Sequence, residues 1–93
     1  MRTFGEIKKY FEFQLEGDDK VYKIPLASSM PAATILMMKD ADKRGEGFEA
    51  QLSMLKRYMG KDIVDELSVD MADSILKAWG EESAEQGASA GES

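Results

Sequence analysis

Between Phe11 and Leu15 the chain alternates apolar and polar residues without a break, setting Phe11, Phe13 and Leu15 against Glu12 and Gln14. A period of two places the three apolar side chains on one face of a strand and the polar pair on the other. Glu16-Gly17-Asp18-Asp19 follows as a turn cluster whose glycine accepts a positive φ. Val21, Tyr22 and Ile24 make a second short run, closed by Pro25, which has no N–H to give to a ladder. The pattern predicts a β-hairpin, with Tyr10 and Tyr22 as candidates for a cross-strand aromatic pair. A hairpin alone is marginal in water, so its apolar face requires a cover. Everything after Ala27 reads as helix able to supply one. The expected fold is therefore α+β, an N-terminal hairpin packed against three or four short helices.

The helices are marked by their ends as much as by their stripes. Ser29 is the expected N-cap of the first, with Ser28 as the alternative, and Pro31 falls in the first turn, where its missing N–H costs little. This helix is expected from about residue 31 to residue 43. Ile35, Leu36 and Met38 line much of it, and Met37 adds a second apolar side. Lys43 and Arg44 suit its C-terminus and Gly45 suits the C′ position. The second helix, residues 48–59, carries Phe48, Leu52, Leu55 and Met59 at i, i+4, i+7 and i+11, a stripe that Met54 and Tyr58 widen. Gly60 should stop it. Residues 61–67 read as a short helix with Ile63, Val64 and Leu67 inward. Ser68 then caps a last helix whose stripe is Ala72, Ile75, Leu76 and Trp79, with Gly80 as its expected stop. Trp79 is expected to close the core with its indole N–H near water or a carbonyl.

Residues 1–80 thus form one expected domain. Residues 1–9 are its lead-in, with Phe4 and Ile7 either half a helical turn or anchors at the start of the sheet. Residues 81–93 hold only Glu, Ser, Ala, Gly and one Gln, too little apolar surface to offset the entropy of ordering, so a disordered acidic tail is expected. Two strands leave open edges, and a partner's strand would be a natural addition, which raises the expectation of a homo-oligomer.

Composition narrows function by exclusion. The chain has 93 residues, 43% of them apolar, enough for one packed core. It has no cysteine and no histidine. Thiolate nucleophiles, disulfides, the commonest general base and the commonest zinc ligand are all missing. The net charge is −6, but Glu81, Glu82, Glu85 and Glu92 put −4 of it in the tail, and the first eighty residues hold 14 acids against 12 bases. That near balance argues against a nucleic-acid partner. No run approaches the roughly eighteen apolar residues of a membrane span. Gly45-Glu46-Gly47 lacks the remainder of a phosphate loop, and the acids around residues 40–49 do not match a calcium loop. The expectation is a protein without enzymatic activity, cofactor or metal. Methionine is the unusual residue, seven in all. Its flexible, polarisable side chain fills cores and also adapts to partners. Met37 and Met38 are adjacent and cannot share one narrow face, so at least one is a candidate partner contact.

The order of motifs resembles a known family. A hairpin built on Phe11, Phe13, Leu15, Gly17, Tyr22, Ile24 and Pro25 leads into a serine-rich, proline-containing helix start. A compact helical segment follows with Leu55, Leu67, Leu76, Ala78 and Trp79, and then an acidic tail. Over residues 10–82 this resembles the tail assembly chaperones of long, non-contractile-tailed phages and prophages of Gram-positive hosts. The resemblance implies a protein of the host bacterial cytoplasm that binds the tape-measure protein and keeps its apolar helices soluble until the tail tube forms. It also implies a second, longer product made by ribosomal frameshifting. The family has no catalytic residues to carry over. Its client would meet an adaptable apolar surface, for which Met37, Met38, Met54, Tyr58 and Trp79 are the candidate residues. A structural virion component, such as a head–tail connector or minor tail protein, and a small regulatory adaptor are the alternatives.

Overall fold

A computed structural model describes the backbone of residues 1–92 and the side chains of residues 1–85. Two antiparallel strands, β1 (Tyr10–Gln14) and β2 (Val21–Pro25), are followed by a 3-10 turn at Ala27–Ser29 and four helices. These are α1 (Ala32–Lys43), α2 (Gly47–Met59), α3 (Lys61–Glu66) and α4 (Val69–Glu92). The α+β architecture read from the pattern is the observed one. No described helix is long and apolar enough to cross a membrane.

The hairpin register pairs Phe11 with Ile24 and Phe13 with Tyr22. These four side chains share the inner face. Tyr22 and Ile24 are fully buried, and Phe11 and Phe13 are half-buried. The Phe13 and Tyr22 rings stack at 5.5 Å between centroids. Tyr10 instead faces solvent and pairs with Pro25. The expected Tyr10–Tyr22 pair is therefore corrected. Tyr10 points to the opposite face from Phe11 and Phe13, and strand parity forbids the contact.

Gly17 turns the hairpin at φ +82°, in the region only glycine occupies freely. Asp18 organises the turn. Its carboxylate accepts from the Lys20 N–H at 2.9 Å and from the Tyr22 hydroxyl at 2.9 Å. The Lys20 bond and then the Tyr22 bond hold its carboxyl below the usual carboxylate range. Burial, and then the Asp18 carboxylate, push the Tyr22 phenol up.

The helix joints follow from local chemistry at most points. Gly45, at φ +77°, ends α1 in a Schellman motif: Glu46 N–H donates to Ala41 C=O at 2.8 Å and Gly45 N–H to Asp42 C=O at 3.1 Å. Gly60, at φ +105°, ends α2. Ser68 Oγ accepts from Met71 N–H at 3.1 Å, the N-cap geometry expected of it. Asp65 pairs with Lys61 within α3 at 2.8 Å and with Lys56 at 3.4 Å, the second pair tying α2 to α3.

Two expectations about ends are corrected. Ser29 does not cap α1. Its Oγ accepts from the Lys9 N–H at 2.8 Å, a bond across twenty residues that fixes the root of the hairpin, and Pro31 occupies the N-cap position without a side-chain bond. Gly80 does not stop α4, and the segment from Glu81 to Glu85 is helical. Ser83 is buried there, and its Oγ accepts from Ala27 N–H at 3.1 Å. One turn earlier, Trp79 donates its indole N–H to Pro25 C=O at 2.8 Å. The side chains of residues 86–93, the rest of the expected tail, lie outside the described residues. The core gathers where these elements meet, with Ile24, Leu26, Met54 and Leu55 at its most enclosed point.

Candidate functional site

An open groove of about 480 Å³ lies between α1, the start of α2 and the middle of α4. Ala27, Ile35, Met38 and Trp79 supply its apolar lining. Lys39, Asp42 and Lys43 line its α1 side, and Gln51 comes from α2. At Gly47 the two helices come close: a Cβ there would lie 2.7 Å from Asp42 Oδ1, a contact that a turn of that carboxylate relieves, and 3.4 Å from Asp42 Cα.

The helical period explains what α1 shows on its other sides. Thr34, Met38 and Ala41, at i, i+4 and i+7, face the core and are buried. Ile35, Lys39, Asp42 and Lys43 turn toward the groove. Successive residues are rotated by about 100°, so Leu36 falls on the ridge of Lys39 and Lys43, at the groove's lip, and Met37 falls beyond the buried stripe. Leu36 is 60% exposed and Met37 is 42% exposed. Helix α1 thus carries apolar residues toward the core, the groove and solvent, among charged ones on the last two sides.

The five residues proposed from sequence as a client-binding set are not brought together. Met37 lies on the surface, while Met38 lies in the core beneath the groove. Trp79 contributes its ring to the same groove but is otherwise enclosed and anchored through its indole N–H. Met54 is 2% exposed and has no surface for a partner, because it belongs to the buried core cluster with Ile24 and Leu55. Tyr58 is half-buried against the core, with the Arg57 guanidinium 5.9 Å from its ring centroid. Leu36 was missed as an exposed residue. Its place among Ile35, Met37 and Met38 gave it to the inner face, because the true stripe is marked by a threonine and an alanine, Thr34 and Ala41.

Chemically the groove offers dispersion contact, two lysines and the Asp42 carboxylate. Among the described residues no group of three or more acids could hold a metal ion, and no buried side-chain polar atom lacks a partner. The groove can receive apolar side chains and carboxylates.

No protein-family model, curated protein or solved structure matches the chain.

Proposed function

We propose that this protein is a tail assembly chaperone of a long-tailed phage or prophage. In this reading it binds the tape-measure protein in the host cytoplasm and shields its apolar helices before the tail tube forms. The motif order over residues 10–82 supports the reading. So does one structural observation, that α1 keeps Leu36 in solvent at the lip of a groove floored by Ile35, Met38 and Trp79, and Met37 in solvent on the helix's other side. A client rich in amphipathic helices offers apolar side chains at i, i+3, i+4 and i+7, and a helix face laid along a groove is a standard way to cover them. Met37 and Met38 adapt their shape to differing client segments at little cost, which suits a chaperone that meets many segments of one long chain. Lys39 and Lys43 on the groove's α1 side favour client segments with acids flanking the apolar face.

Co-expression tests the reading. The tape-measure protein made alone should be mostly insoluble and should become soluble, and co-purify, when this chain is made with it. Failure to raise its solubility would contradict the proposal. Recovery of the chain in purified virions would move the assignment to a structural tail component.

A further inference from the structure

A second apolar groove, of about 250 Å³, lies against the inner face of the hairpin, between β1 and α4. Phe11, Phe13 and Leu15 form one wall, and Met71, Ile75 and Ala78 form the other. Phe11, Phe13 and Leu15 are only half-buried, and Met71 is 43% exposed, so this part of the hairpin's inner face lacks a full cover. Elsewhere the same chain leaves large apolar side chains of its N-terminal arm uncovered. Phe4 is 83% exposed and Ile7 is 86% exposed, on an arm, residues 1–9, that belongs to no strand or helix.

We infer that the arm of one copy occupies the β1–α4 groove of a second copy, so that the protein dimerises by reciprocal exchange of its arms. Reach fits first. Extended chain advances about 3.3 Å per residue, so Phe4 and Ile7 lie about 10 Å apart and, being three residues apart, point to opposite sides of an extended arm; Phe4 is the anchor that enters the groove. Charge fits second. The arm holds three bases and one acid, Arg2, Lys8 and Lys9 against Glu6, while the remaining residues hold 9 bases and 17 acids. A basic arm meets an acidic body, and Glu16 lines the groove itself. Arg2 travels with the aromatic anchor, its guanidinium 5.4 Å from the Phe4 ring centroid.

The occupant is a second copy and not the chain's own arm because the arm's root is pinned. Lys9 C=O accepts from Leu26 N–H at 2.9 Å, and Lys9 N–H donates to Ser29 Oγ at 2.8 Å. Glu6, Ile7 and Lys8 run beside Ser28–Met30. To reach its own groove the arm would have to reverse direction and leave that position. A neighbouring copy reaches it without disturbing either bond, and brings the arm alongside the unpaired outer edge of β1.

The lack of cysteine makes the test clean. Light scattering on the full chain up to millimolar concentration should give twice the 10.3 kDa of one copy, and Phe4→Asp with Ile7→Asp should return it to one copy. Both residues are exposed, so the far-UV circular dichroism and the melting temperature of that variant at low concentration should stay unchanged. Thr3→Cys copies mixed with Ser74→Cys copies should form a disulfide-linked pair about tenfold faster than either variant alone, because docking raises the effective concentration of the two thiols. Three results would overturn the inference: a single copy at every concentration, a dimer indifferent to Phe4→Asp and Ile7→Asp, or a chain carrying both Thr3→Cys and Ser74→Cys that closes its disulfide within one copy.

Discussion

Helices α1 and α2 are nearly equal in length and lie against each other, yet they dispose of their apolar residues in different ways. In α2 the large apolar side chains are all inward or half-covered: Met54, Leu55 and Met59 are buried, and Phe48, Leu52 and Tyr58 border the core. In α1 the buried stripe is Thr34, Met38 and Ala41, while Leu36 and Met37 stand in solvent. An amphipathic helix is explained by the fold that covers it. A helix that keeps apolar residues on its outer side is not, and on the proposed reading this surplus is the contact surface. That reading gives stability to α2 and partner contact to α1.

The largest effect should therefore come from α2. Leu55→Ala removes a side chain that is 0% exposed and should cost about 2–5 kcal/mol in denaturant unfolding. If it cost no more than a surface change, the contrast between the two helices would collapse.

Helix α4 sharpens the comparison, because it clamps the chain between the hairpin and α1. Ser83→Ala deprives Ala27 N–H of its partner and should cost about 1 kcal/mol, with faster hydrogen exchange at Ala27. Gly80→Ala should do the opposite. Nothing lies within 4 Å of a Cβ at Gly80, and alanine in a helix interior is favoured over glycine by about 1 kcal/mol, so the melting temperature should rise. A fall would mean that Gly80 ends the helix after all.

The hairpin turn sets the pH limits. The Asp18 carboxyl is lowered in the fold, so its contribution is complete above about pH 4 and is lost as pH falls through its folded value. The Tyr22 phenol is raised, so its contribution is complete below about pH 10 and is lost as pH rises through its folded value. Asp18→Asn should flatten the acid limb of a stability–pH curve and leave neutral stability less changed than Leu55→Ala does. The smallest effect belongs to the outer side of α1: Leu36→Ser with Met37→Ser should shift stability by no more than about 0.5 kcal/mol per residue, as surface changes do.

The same contrast explains what the sequence disclosed. The α2 stripe, the Gly45 and Gly60 stops, the Ser68 cap and the alternation of β1 are all local signals, and each element stands where its signal put it. Two of the corrected features depend on distant partners. Ser29 looks like a helix cap until Lys9, twenty residues earlier, takes its hydroxyl. Ser83 looks like tail until Ala27, fifty-six residues earlier, donates to it. Its position four residues after Trp79 continues the α4 stripe, but a serine carries no apolar signal. On α1, four consecutive apolar residues, Ile35 to Met38, hide the helical phase. Only the burial of Thr34 and Ala41 shows which side is inward, and that placed Met38 inside and Leu36 outside.

The measurement that tests the central claim most directly is a titration with a tryptophan-free, amphipathic helical fragment of the tape-measure protein, followed through the emission of Trp79, the chain's single tryptophan and part of the groove's lining. The wild-type chain should bind with a change in that emission. The chain with Leu36→Ser and Met37→Ser should keep its melting temperature and lose about tenfold or more in affinity, since covering one such side chain contributes about 1.5–3 kcal/mol. Equal affinity in the two chains, at equal stability, would contradict the assignment of partner contact to the outer side of α1.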